Sequence, residues 1–340
     1  MTSDTLTKTD QQAEESLLGR IRSDIESRPM LGTLLGTAAA LLALIVIMSF
    51  LSPFFLTHRN VMNILNQSAI YVIMGVGMTL VLNTSGIDIS IGSIVGLATS
   101  IMGSLIIAMD FAPWIGVVGA LAVATACGLF NALMIVWLKV PPIITTLGTW
   151  TSFRGLAYVY LEGNIYYGFP PSISWIANGN ILGIPVPIII AILTACAGGY
   201  FLRCTRAGQY TTALGGSEQA ARRAGINVGF YRGLVYVISG FLAGVATLII
   251  TARLDASQAN TGQGMELHTI AAVVIGGTAL FGARATIIGT ILGVLILQVL
   301  ENGLLLAGVS NFWQRVGLGL IVIGAVGLRT YRNRTVGNLA

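Results

Sequence analysis

Apolar runs of about twenty residues recur along nearly the whole chain, separated by short stretches of Pro, Asn, Gly and charged residues. A helix needs about 20 predominantly apolar residues to cross the hydrocarbon core of a bilayer. The runs therefore predict an all-α membrane protein of about ten spans, over 32–55, 63–83, 90–109, 114–138, 143–161, 181–202, 231–251, 267–282, 286–307 and 312–328. The eighth is short and closes on Gly276, Gly277 and Gly282. A broken or re-entrant helix, sheltered by protein or a water-filled cavity, is the alternative reading of that segment.

Composition agrees with the pattern. The 340 residues are 55% hydrophobic and 9% charged, against about 25% charged in a soluble domain. One membrane domain, 31–329, is expected between polar tails at 1–30 and 330–340. The first tail mixes acids and bases without an apolar signal region and reads as soluble rather than as a cleaved leader. The 42 glycines suit closely packed membrane helices, and Gly92/Gly96 and Gly289/Gly293 have small-residue packing spacing. Cys127, Cys196 and Cys204 form no CxxC and have no neighbouring His, so they read as small packing residues.

Charge supplies direction, because Lys and Arg concentrate in cytoplasmic loops. With the N-terminus inside and ten alternating spans, fourteen of the eighteen basic residues fall on the cytoplasmic side: Lys8, Arg20, Arg22, Arg28, Lys139, Arg203, Arg206, Arg222, Arg223, Arg232, Arg284, Arg329, Arg332 and Arg334. Arg59, Arg253 and Arg315 fall outside and Arg154 within a span. Both termini are expected in the cytoplasm. The net charge of +5 is thereby assigned to the membrane, not to nucleic acid.

Two connections are long. The outer one, 162–180, carries Tyr166, Tyr167, Pro170, Pro171 and Trp175, either interfacial belt residues or a docking surface. The inner one, 203–232, has Gly215 and Gly216 as a flexible break and Ser217 as an N-cap. A short Ala- and Arg-rich helix follows and is stopped by Gly225. Its arginines either meet anionic headgroups or belong to a helix that receives force from a partner.

The stretches Gly77–Ser93 (GMTLVLNTSGIDISIGS), Val140–Ala157 (VPPIITTLGTWTSFRGLA), Ala213–Val228 (ALGGSEQAARRAGINV), Glu266–Thr290 and Glu301–Gln314 occur in this order over nearly all of the chain after about residue 50. Together they resemble the ribose/xylose-type permease family, membrane subunits of bacterial ATP-binding-cassette monosaccharide importers. The resemblance implies a bacterial inner-membrane protein working with a second permease subunit, a periplasmic sugar-binding protein and a cytoplasmic ATPase, often tandem-fused. ATP and magnesium would be held by that ATPase, with no cofactor on this chain. It also implies ATPase contact through Gly215, Gly216, Ser217, Glu218, Ala220, Ala221, Arg222 and Gly225. Ser217 stands where the family often has Asn, and Gln219 where it often has a second acid, which leaves a specific salt bridge open. SGIDIS also has Ser85 where Gly is commoner.

Polar residues inside spans face the bundle interior or an aqueous route. Asn83, Asp88 and Ser90 cluster between the second and third spans, with Asp88 read either as a cap on the third helix or as a conformational lock. Arg154 lies mid-span among threonines, as a pathway residue or one half of an ion pair with Glu162 or Glu301. Gln298, Glu301 and Asn302 share a helical face, as lining or as interhelical hydrogen bonds. Asn66 sits near the start of the second span in a stretch chemically suited to sugar hydroxyls.

No GxxxxGK[ST] occurs, so the chain has no P-loop of its own. His58 and His268 stand apart, and no HExxH or nucleophile–base pattern supports hydrolysis. The favoured reading is an importer permease rather than an enzyme. A secondary transporter or channel, a membrane enzyme and a branched-chain amino-acid permease are the alternatives.

Overall fold

The computed structural model describes residues 29–279, 282 and 285–310, and beyond them only 312–314, 316–317, 319–320 and 324. The tail 1–28, most of the tenth expected span, Arg284, Arg315 and the C-terminal tail therefore lie outside the described residues.

Among the described residues, seven helices are long and apolar enough to cross a membrane: Leu31–Leu51, His58–Asn83, Ile91–Ala108, Pro113–Val136, Val186–Cys204, Val228–Leu254 and Ile287–Leu306. We label the long helices α1 (Pro29–Leu51), α2 (His58–Asn83), α3 (Ile91–Gly103, continued by a π-helical turn Ser104–Ala108), α4 (Pro113–Val136) and α5 (Pro142–Leu161). Helix α5 has the length of a span but is not among the seven; Thr145, Thr146, Thr149, Thr151, Ser152 and Arg154 make it too polar. After it come α6 (Pro171–Asn178), α7 (Val186–Cys204), α8 (Arg206–Gly216), α9 (Glu218–Arg223), α10 (Val228–Leu254), α11 (Met265–Ile275) and α12 (Ile287–Leu306). Pro at the first turn opens α4, α5, α6 and α7, where its missing N–H removes no helical bond.

Among the described residues, each of the first nine expected spans falls on a helix, with two differences. The sixth starts at Val186 rather than 181, because Asn180–Ile181 pairs with Ile184–Pro185 in a hairpin. The eighth is broken: α11 is an 11-residue helix that turns at Gly276 and Gly277, too short for a bilayer at 1.5 Å per residue.

Helices α2 and α3 are central. In the most apolar stretch of each, 78% of residues are buried, against 17% for the peripheral α1. Glycine permits close helix crossings. A Cβ on Gly128 (α4) would stand 3.1 Å from the Gly240 Cα (α10), and one on Gly240 would stand 2.8 Å from the Gly128 Cα. The Gly289/Gly293 spacing works similarly, with α12 seated against the backbone of Ala272 and Gly276. Hydroxyl pairs Thr79–Thr290 and Thr99–Thr251, each at 2.6 Å, join helices across the core. Of the cysteines only Cys127 is buried; Cys196 and Cys204 are exposed.

The long connection 162–180 is ordered by β-bridging. Tyr166–Tyr167 pairs antiparallel with Ala256–Ser257, and Phe169 N donates to Asp255 Oδ1 at 2.8 Å. Tyr167 and Trp175 are exposed there.

Candidate functional site

The connection 203–232 is built by three successive side-chain caps. Thr205 Oγ1 accepts from Gly208 N at 3.0 Å, Ser217 Oγ from Ala220 N at 3.2 Å, and Asn227 Oδ1 from Phe230 N at 3.1 Å. Each satisfies an amide that a helix start leaves unpaired. The expected Ala- and Arg-rich helix is present as α9, and Gly225 leaves it at φ 79°. Gly215 and Gly216 are not a flexible break: they are the last residues of α8, a helix that hydrophobic periodicity did not reveal. Gly215 O accepts from Ser85 Oγ at 3.3 Å, and Asn83 Nδ2 donates to Thr212 Oγ1 at 2.9 Å and Thr211 Oγ1 at 3.2 Å. The end of α2 is thus tied to α8.

Glu218 forms two ion pairs within the chain. Oε1 meets Arg222 at 2.9 Å one turn along α9, and Oε2 meets Arg232 at 2.8 Å on α10. Hydrogen bonds from Arg232 and then Arg222 hold its carboxyl below the ordinary carboxylate range. Ala221 is buried against Leu214, Val228 and Ile226, so it anchors α9 to its own chain. Ser217, Gln219, Ala220, Arg222 and Arg223 present the exposed surface.

A second polar group lies deep in the bundle. Between α2 and α3 the chain turns back inward: Ser85 has φ 59°, and the Tyr236 hydroxyl donates to Ile87 O at 3.5 Å. Asp88, fully buried, accepts from Ser90 N at 3.1 Å and Ser90 Oγ at 2.6 Å through Oδ1, and from Ser239 Oγ at 2.9 Å through Oδ2. Asn131 Nδ2 donates to Ser90 Oγ at 2.8 Å. Asp88 therefore does not cap the interior amides of α3. It binds the amide of Ser90, the residue before that helix, and ties it to α4 and α10. Ser239 is the twelfth residue of α10, about 17 Å along it, so α3 starts well inside the bundle.

Arg154 pairs with neither Glu162 nor Glu301, as a span-to-span ion pair would require. Its guanidinium donates to the carbonyls of Ala259, Thr261 (2.7 Å) and Gly92 (3.0 Å). Ala259 and Thr261 belong to the irregular segment before α11, whose carbonyls lack helical partners, and a planar five-donor group suits them. Glu266 serves the same segment from the other sign, accepting from Gly264 N and Trp150 Nε1, each at 3.2 Å. Irregular backbone at this depth persists only where protein satisfies it.

Toward the opposite end, Gln298 Nε2 donates to Glu301 Oε2 at 3.1 Å, and His268 Nε2 lies 3.1 Å from Glu301 Oε1. The His268 ring packs on Tyr71 with centroids 4.1 Å apart. Asn302 turns instead to Asn60, with reciprocal amide bonds of 2.8 and 2.9 Å. The His268–Glu301 and Asn60–Asn302 contacts join this face to neighbouring helices. Asn66 is half-buried, and its Oδ1 has no hydrogen-bond partner among the described residues.

Sequence patterns did not single out Trp150, Ser239, Glu266, His268 or Asn131 as site residues. All are polar or amphipathic side chains within or beside apolar runs, which was the available signal; their partners lie on helices remote in sequence.

Residues 60–326 match the family described as branched-chain amino acid transport system / permease component. The chain is 42% identical over 291 residues to the ribose import permease protein of Escherichia coli, covering 84% of this chain and 90% of that protein. It is 40% identical over 294 residues to the Bacillus subtilis ribose import permease protein, covering 86% and 91%. To the D-allose transport system permease protein of Escherichia coli it is 35% identical over 294 residues, covering 86% and 90%.

Proposed function

The chain belongs to the branched-chain amino acid transport system / permease component family, and from that membership we propose that it serves as the multi-pass inner-membrane permease of an ATP-binding-cassette importer for a monosaccharide. The family description names amino acids, but the relatives aligned over most of this chain are named for ribose and allose, and these support a sugar. Such a permease works with an ATPase and a periplasmic binding protein.

The observation that carries the reading is α9. A six-residue helix, capped by Ser217 and exposed along Gln219 and Ala220, stands at the Arg-rich end of the bundle. Glu218 links it to Arg232 on the 27-residue α10, and α10 carries Ser239, the partner of Asp88. Movement imposed on α9 by an ATPase reaches the middle of the bundle through one rigid element. In this reading that end is cytoplasmic, ten spans place both termini there, and ATP and magnesium are held by the ATPase. A second permease subunit completes the pathway, to which Asn83, Asp88, Ser90 and Arg154 contribute as supports of the irregular segments. Gln298, Glu301, Asn302 and Asn66 belong to its opposite half.

Co-reconstitution in proteoliposomes with the cognate ATPase and binding protein tests this. Labelled pentose or hexose should accumulate only with ATP on the ATPase side. Uptake driven by an ion gradient with neither partner present would instead establish a secondary transporter.

A further inference from the structure

At the Arg-rich end, the C-terminus of α4 and the N-termini of α5 and α10 line a half-open cavity of about 310 Å³ beside α9. Its walls are of two kinds. Val136, Val140 and Pro141 are apolar, whereas Lys139, Arg222 and Arg232 are cationic. The one acid in the lining, Glu218, divides its two oxygens between Arg222 and Arg232. Three bases against one acid leave two positive charges. Lys139 has no acidic partner within ion-pair distance among the described residues.

The cavity also has a depth marker. Trp137 is 77% and Phe230 59% exposed, and each is the chain neighbour of a lining residue, Val136 and Gly229. Large aromatics at helix ends favour the headgroup level of a bilayer. A recess with an apolar wall and a cationic wall at that level matches a molecule with an anionic head joined to an apolar body. A docked protein would meet the exposed surface of α9, at Gln219, Ala220 and Arg223, rather than a recess between helix ends.

We propose that this cavity binds one anionic phospholipid of the cytoplasmic leaflet, its phosphate facing Lys139, Arg222 and Arg232 and its glycerol and upper acyl chains lying against Val136, Val140 and Pro141. Basic recesses between membrane helices on the cytoplasmic side have this lipid preference. The placement rests on the membrane orientation proposed above, but its test does not use transport, so either can fail alone.

The test is native mass spectrometry of the purified full chain in nonionic detergent, titrated with phosphatidylglycerol or phosphatidylcholine of the same acyl chains. One phosphatidylglycerol should be retained in preference to phosphatidylcholine. Lys139→Gln should weaken that retention roughly fivefold, the worth of one basic residue beside an anionic surface, and Lys139→Arg should preserve it. Thermal unfolding checks that the variants are folded. Arg222→Gln, at a side chain 70% exposed, provides an independent variant with the same expected direction should Lys139→Gln not fold. Equal retention of both lipids, or retention indifferent to both charge-removing substitutions, overturns the proposal. So does displacement of the lipid by an equal concentration of glycerol 3-phosphate, which would make the ligand a soluble phosphate. Loss of the lipid on adding the cognate ATPase, with ATPase binding weakened by Lys139→Gln, would assign the cavity to the protein partner and overturn it equally.

Discussion

The carboxylate of Asp88 receives the hydroxyl of Ser239 at 2.9 Å, across 151 residues of sequence and with both side chains fully buried. Its other oxygen holds Ser90, which in turn accepts from Asn131. One acid thus gathers three helices around a point where the chain is not helical.

Asp88→Ala is expected to leave Ser90 and Ser239 without their acceptor and to lower unfolding stability by about 2–4 kcal/mol, since a buried unsatisfied polar group costs about 1–3 kcal/mol. Asp88→Asn keeps one carbonyl acceptor and should lose less than half as much. Thermal unfolding in detergent gives the order. Transport per folded molecule distinguishes a conformational lock, in which Asp88→Asn also changes turnover, from a purely structural tie.

Arg154→Met removes the donors to Gly92, Ala259 and Thr261. A loss of roughly 2–4 kcal/mol is expected from stranding buried carbonyls. Arg154→Lys retains the charge but not the planar fork and should fall between. Faster amide exchange confined to 258–266 would localise the damage.

Gly240→Leu should sharply reduce the yield of folded protein, because backbone atoms of Ala124 and Gly128 already occupy the space a Cβ needs. Overpacking costs about 1–3 kcal/mol even where side chains yield. Gly148→Ala, with nothing within 4 Å of the new methyl, should be neutral or stabilising by up to about 1 kcal/mol. Thermal shift of the two variants provides the comparison.

Glu218 gives a pH dependence of known sign. Its carboxyl is more acidic in the folded loop than ordinary, so the stability it contributes is complete above the usual carboxylate range and disappears as pH falls through the lowered value. Amide exchange over 217–225, corrected for the intrinsic pH dependence of exchange, should show constant protection at neutral pH and lose it in acid. Glu218→Gln should abolish that acid response while changing global stability by less than about 1 kcal/mol, because the pair is partly exposed.

Ala220 and Ala221 are adjacent and opposite in consequence. Ala220→Arg adds bulk to the exposed surface of α9 and should weaken ATPase co-purification at least tenfold with the fold intact. Ala221→Arg drives a charge into the Leu214–Val228 cluster and should disorder α9 itself. Circular dichroism with pull-down separates the two.

Much of this was legible in one dimension. The apolar runs located the long helices because membrane insertion depends on summed hydrophobicity over about 20 residues. Ser217 announced α9, and Gly225 its end, because capping is local chemistry. Helix α8 was missed because Arg206–Gly216 has little apolar content; tertiary bonds from Asn83 and Ser85 hold it. The break after Ile275 was foreshadowed by its glycines, but the inward turn at 84–90 was not.

By itself, then, the sequence determined the solvent of this protein, most of its helices and the family resemblance, since hydropathy, caps and ordered blocks are properties of neighbouring residues. Only the tertiary structure decided what the buried charges do. Arg154 and Glu266 attend an irregular segment, and Asp88 attends another, because broken backbone deep in a bundle needs partners that come from helices far away in the chain.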